Sequence, residues 1–88
     1  MILTQNIELE ATVVDYEGDV FIDLAGYTIT AEHLSLTSSG SITVKNGMLD
    51  VGELELISQD GVTLVNVTDG TGYDVSTDGT DPAVGWSA

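Results

Sequence analysis

Glu53 and Glu55 stand two residues apart in the stretch VGELELI at 51–57. On a strand, that spacing puts both carboxylates on one face, roughly 7 Å from each other. Such a separation suits glycoside hydrolysis by a carboxylate pair. The chemistry also demands a cleft that shifts one pKa and grips a sugar, usually with aromatics. Leucines at 54 and 56 turn the opposite way, so the expected reading is a solvated acidic face. His33 is the only histidine, and no Ser or Cys accompanies it in a nucleophile motif. It reads as a solvated turn residue. Asp69, Asp74, Asp78 and Asp81 form an acidic cluster that could gather a hard cation weakly. No catalytic residue, metal ligand or cofactor is assigned.

Fifteen Asp and Glu against the single cation Lys45 give a net charge of −14 with His33 neutral. Phosphate backbones and anionic lipids are bound mainly through Lys and Arg. Neither nucleic acid nor a membrane surface is therefore an expected partner. No Cys is present, so neither a disulfide nor a thiolate metal site can staple the chain. No segment approaches the ~20 apolar residues of a membrane span. The start, MILTQNIELE, lacks a basic region followed by an apolar stretch. The protein is expected to be made in the cytoplasm of a host cell and either to stay there or to leave by lysis or as part of a particle.

The elements that position these residues follow from a repeat. In rows of twenty, Ile2, Ile22, Ile42 and Val62 share a column, and Thr4, Leu24, Val44 and Leu64 the next. Leu9, Ile29 and Leu49 align, as do Ala11, Ala31 and Val51. Val14, Leu34 and Leu54 make a fifth column, and Tyr16, Leu36 and Leu56 a sixth. Thr4 alone is polar. The columns form three pairs two residues apart, the spacing of one strand face. Residues between the members of a pair are mostly polar, such as Glu10, Thr30 and Asp50, or Asp15, Ser35 and Glu55. Translational repetition places residue i about 4.8 Å from residue i+20 across a parallel ladder. An all-β parallel β-helix of about three and a half 20-residue coils is predicted, with Ile22, Leu24, Ile42, Val44, Val62 and Leu64 in its core.

Asn6, Gly26, Asn46 and Asn66 occupy one column directly after a strand. Asn and Gly accept positive φ at low cost, so this column reads as a corner ladder. GDVFIDLAGYTIT at 18–30 and SITVKNGMLDV at 41–51 resemble right-handed parallel β-helices of the pectate-lyase type. Phage tailspikes, fibres, capsid decoration proteins, adhesins and polysaccharide lyases share that fold. The resemblance covers roughly residues 2–68 and implies right-handed winding. The lyases rely on Arg or Lys beside Ca²⁺-binding carboxylates, and this chain has no Arg and only Lys45. A non-enzymatic protein is therefore expected. DGTGYD at 69–74 is similar in part to the Gly-Gly-x-Gly-x-Asp repeat of Ca²⁺-binding β-rolls. It departs at Asp69 and Ser76 and occurs once, so no Ca²⁺ site is assigned.

Beyond residue 68 the columns would turn Asp69, Thr71, Asp74 and Ser76 inward, so the solenoid is expected to span 1–68 and an irregular arm or cap 69–88. Open solenoid ends need covering. Met1–Leu3 is a candidate plug for one end, and Tyr73, Val75, Val84 and Trp86 for the other. Short chains seldom obtain enough stability from one core. Val13, Phe21, Tyr27, Val65 and Val67 fall on outward positions, which adds to the expectation of a homo-oligomer. A trimer is what the resemblance implies. The functional expectation is a structural subunit on the surface of a phage virion, a capsid decoration (cement) protein. Tyr73, Val84 and Trp86 would dock it onto a capsid or tail protein, unless Trp86 caps its own core. A tail or head fibre, or a carbohydrate- or receptor-binding module, is the alternative.

Overall fold

A computed structural model describes residues 1–87. The chain is all-β, a β-solenoid of about three turns joined by parallel ladders. Its strands are β1 (Ile7–Tyr16), β2 (Val20–Asp23), β3 (Thr28–Ser38), β4 (Ile42–Ser58), β5 (Val62–Asp69), β6 (Thr77–Asp78) and β7 (Ala83–Ser87). β1, β3, β4 and β5 stack in that order, and β2 also pairs with β4. Three faces result. The first stacks β2 beneath the starts of β4 and β5, the second the starts of β1 and β3 beneath the middle of β4. On the third face, the ends of β1, β3 and β4 lie one above another.

Alternation within each strand sends one set of side chains inward. Leu24, Ile42, Val44, Val62 and Leu64 are buried, together with Leu49, Val51, Leu54 and Leu56. Ile22 is half-buried and packs against that cluster. Like residues therefore stack on like residues, which is what a translational repeat dictates.

The upper coils keep the interval of twenty: Ile42 pairs with Val62, Val44 with Leu64 and Leu34 with Leu54. The lowest coil does not. Val20 pairs with Ile42, Ile22 with Val44, Val14 with Leu36 and Tyr16 with Ser38, a step of twenty-two. Ile22 thus lies beside Val44 rather than Ile42. The cause is one longer corner. Leu24–Tyr27 separates Asp23 from Thr28, where only Asn46 and Gly47 separate Lys45 from Met48. The added residues close a turn in which the Tyr27 amide donates to the Leu24 carbonyl at 2.8 Å. Asp23 Oδ1 accepts from the Ala25 amide at 2.9 Å. A slip of two preserves which face each side chain takes, whereas a slip of one would invert it.

Outward–inward assignments change at both ends: Ile2, Leu9, Ala11, Val14 and Tyr16 of the first row, assigned inward, are exposed, and Val67, assigned outward, is buried. Val67 is fully buried, because Asn66 at φ 56° bends the chain and resets the alternation after it. Tyr16 is 54% exposed instead of inward, on the rung with nothing beneath it.

Three members of the corner column turn the chain alike, and Asn6 does not. Gly26, Asn46 and Asn66 all have positive φ, the Gly26 amide donates to the Asn46 carbonyl at 2.7 Å, and Asn66 Nδ2 donates to Asn46 Oδ1 at 3.4 Å. Asn6 contributes differently, its Oδ1 accepting from the Thr28 amide at 3.0 Å. At another corner two inward serines form a second ladder. Buried Ser38 donates to the Gly18 carbonyl and buried Ser58 to the Gly40 carbonyl.

The C-terminal arm keeps irregular links but carries two short strands that reverse direction. β6 runs antiparallel to Thr63–Leu64 of β5, and β7 antiparallel to Glu53–Ile57 of β4. A bridge from Asp74 to Thr68 covers the remaining face. The upper end of the solenoid is sealed by its own chain on all three faces.

Candidate functional site

Glu53 and Glu55 are exposed on the outer side of β4, opposite Ser87 and Gly85 of β7. Both carboxylates stand on the solvent side of that sheet, while Leu54 and Leu56 between and beside them are buried. His33 is half-buried between Ala11 below and Glu53 above.

The acidic cluster is built into turns. Asp69 Oδ1 accepts from the Thr71 amide, the Thr71 hydroxyl and the Tyr73 amide at 2.9, 2.7 and 3.0 Å. Asp74 accepts from the Ser76 amide, and Asp78 from the Thr80 amide and hydroxyl. Hydrogen bonds that favour the charged form hold all three carboxyls below their ordinary range. The main cause is Thr71 for Asp69, Ser76 for Asp74 and Thr80 for Asp78. Among the described residues no three metal-ligating side chains converge. The sequence does carry a signal for these turns: Asp-Gly-Thr at 69–71, Asp-Val-Ser at 74–76 and Asp-Gly-Thr at 78–80. Aspartate two residues before a hydroxyl residue is a turn-forming pattern.

Of the three residues read as docking groups, two serve this chain. Val84 and Trp86 face inward from β7 and pack against the core, and Trp86 Nε1 donates to the Val51 carbonyl at 2.6 Å. Tyr73 is 71% exposed.

A concavity lies at the other end. It is a cavity of about 650 Å³ lined by Ile7, Leu9, Val14 and Tyr16 of β1, with Ile29, Leu34 and Leu36 above them. Its origin is simple. β1 has the inward pattern of an interior rung, yet among the described residues no strand lies beneath it. Among the described residues a lower rung is present on the first face alone, made by Met1–Leu3. There the Leu3 amide donates to the Asp23 carbonyl at 2.9 Å, and the Asp23 amide to the Met1 carbonyl at 2.8 Å. Leu3 is buried as a result, while Met1 and Ile2 remain exposed. The plug expected from Met1–Leu3 thus covers one face of three.

Around this mouth the outward side chains are mostly acidic, with Val13 an exposed apolar exception. Glu8, Glu10, Asp15, Glu17 and Asp19 are all exposed. Lys45, the only Lys or Arg, stands on the first face with its ammonium 5.2 Å from the centre of the Phe21 ring. The site therefore offers three things: apolar burial, unpaired main-chain donors and acceptors along β1, and a negative rim. Sequence reasoning anticipated an open end plugged by Met1–Leu3 but not that two of its faces stay uncovered, although the core-type composition of the first row carried that signal.

Neither a protein-family model nor a curated protein nor a solved structure matches the chain.

Proposed function

We propose that this chain is a non-enzymatic structural subunit that joins a larger assembly, with decoration of a phage capsid as the specific setting. One observation carries the general part. The solenoid is sealed at one end by β6 and β7 and open at the other, where an apolar cavity and a strand edge lie exposed. Uncovered edges and apolar openings are liabilities that proteins ordinarily cover with a partner. Val13, Phe21, Tyr27 and Val65 add exposed apolar area on the outer faces, which supports side-by-side packing of copies, three in the proposed arrangement. The phage setting rests on the likeness of GDVFIDLAGYTIT and SITVKNGMLDV to β-helical particle proteins.

In this role the work is mechanical. Parallel ladders around a stacked core make a stiff post, and the acidic outer surface keeps it soluble and free of nonspecific contacts. Native mass measurement of the purified protein tests self-association, with a trimer as the expected species. A monomer at every accessible concentration overturns that part. Co-sedimentation with the particle assembled from proteins encoded beside it tests the setting, and its failure removes the capsid role.

A carbohydrate-binding role has one observation in its favour: Tyr16, Phe21, Tyr27 and Tyr73 are all exposed. Saturable binding on a glycan array would place it first.

A further inference from the structure

We infer that the open mouth receives an extended segment of a partner protein, alternating apolar and basic residues, which adds to β1 as the missing lowest strand. The inference rests on the assembly reading above and names the partner's chemistry. β1 is ten residues long and is paired on one side only. An added strand would satisfy its free amides and carbonyls, the recognition mode known as β-augmentation. Ile7 and Leu9 line the cavity from one face and Val14 and Tyr16 from the next, two alternating pairs in opposite phase. The added segment must therefore be apolar at alternate positions along each face and shift its phase at the corner between them.

The remaining positions are decided by charge. Glu8, Glu10 and Asp15 point outward along the same strand and are exposed. Side chains directly across a strand pair stand about 5 Å apart, where opposite charges attract and like charges destabilise. A second copy in the mouth would bring its own Glu8, Glu10 and Asp15, and its net charge of −14, against this rim. Its single Lys or Arg is Lys45, on another face. The row of carboxylates that excludes self-pairing is the row that selects Lys or Arg. Anionic polymers and lipid headgroups are turned away by the same rim.

The test uses a fluorescent ten-residue Val/Lys peptide, Val-Lys-Val-Lys-Gly-Gly-Ser-Val-Lys-Val, whose Val positions match Ile7, Leu9, Val14 and Tyr16 and whose Lys positions match Glu8, Glu10 and Asp15. Its controls are a Val/Glu peptide and a Val/Lys peptide N-methylated at alternate residues, which keeps the charge but removes the edge-facing donors. The expected result is saturable anisotropy with the first peptide and none with Val/Glu. Methylation or the Glu8→Lys/Glu10→Lys double substitution should weaken binding about tenfold or more. The doubly substituted protein should instead take the Val/Glu peptide. Amide exchange of Ile7–Tyr16 should slow on binding while that of β7 stays unchanged. Equal binding of the methylated peptide, or unslowed β1 exchange, overturns the inference. So does concentration-dependent protection of β1 without peptide, since that would put a second copy in the mouth. Co-sedimentation that survives Glu8→Lys/Glu10→Lys would overturn the mouth as the docking end while keeping the assembly role. Peptide capture without co-sedimentation would keep the mouth and remove the assembly setting.

Discussion

Gly47 follows Asn46, whose φ of 64° turns the corner, and it lies against the longer turn Leu24–Tyr27. A Cβ at residue 47 would run into the Leu24 side chain and the Tyr27 carbonyl. Leu24 fills the corner that Gly47 leaves empty, and Val67 fills it on the next rung. Gly47→Ala should therefore destabilise the fold by about 1–3 kcal/mol through overpacking, read as a lower urea midpoint. An unchanged midpoint would mean that the turn can move aside. The three turn aspartates allow a prediction of a different kind. Their folded pKa values lie below the ordinary 3.8. Their stabilisation is thus complete above 3.8 and disappears as pH falls through the lowered folded values. Asn keeps the accepting oxygen without titrating. Asp69→Asn/Asp78→Asn should accordingly flatten the acid branch of the melting-temperature profile below about pH 4. Identical acid branches would show that the turns do not limit acid stability.

At the scale of elements, β7 is a structural strand. It shields the upper edge of β4 and carries Val84 and Trp86 to the core. Deleting residues 80–88 should therefore lower the melting temperature and cause aggregation through the bared edge of Glu53–Ile57. Deletion without loss of stability would make β7 an ornament. The contrast between β4 and β7 also shows what was legible in the sequence. Ladders built from near-identical neighbours, such as Ile42 on Val62 or Leu34 on Leu54, are visible because repetition in sequence is repetition in space. Asn46 and Asn66 are visible because few residue types tolerate their φ. β7 pairs antiparallel with a segment it does not resemble, so no column reveals it. The step of twenty-two in the lowest coil was obscured for a related reason: a period-two pattern survives a shift by two with every side chain still on its own face. The mouth was harder again, since it is defined by what does not lie beneath β1.

The whole molecule is nearly isometric, 27 × 24 × 24 Å, and carries its 15 carboxylates over a small surface. Attraction from one Lys cannot balance their mutual repulsion. Salt screens exposed charges over about 8–10 Å at moderate ionic strength, so adding NaCl should raise the melting temperature. A protein held by surface ion pairs would respond in the opposite sense, and a fall in melting temperature would refute the repulsion account. The reversed strands have an architectural consequence. Since β6 and β7 run against the winding, the register of twenty that stacks Ile42 on Val62 does not carry on into them. The two ends of the solenoid are therefore unlike, and the molecule has a polarity along its axis that neither end could exchange with the other.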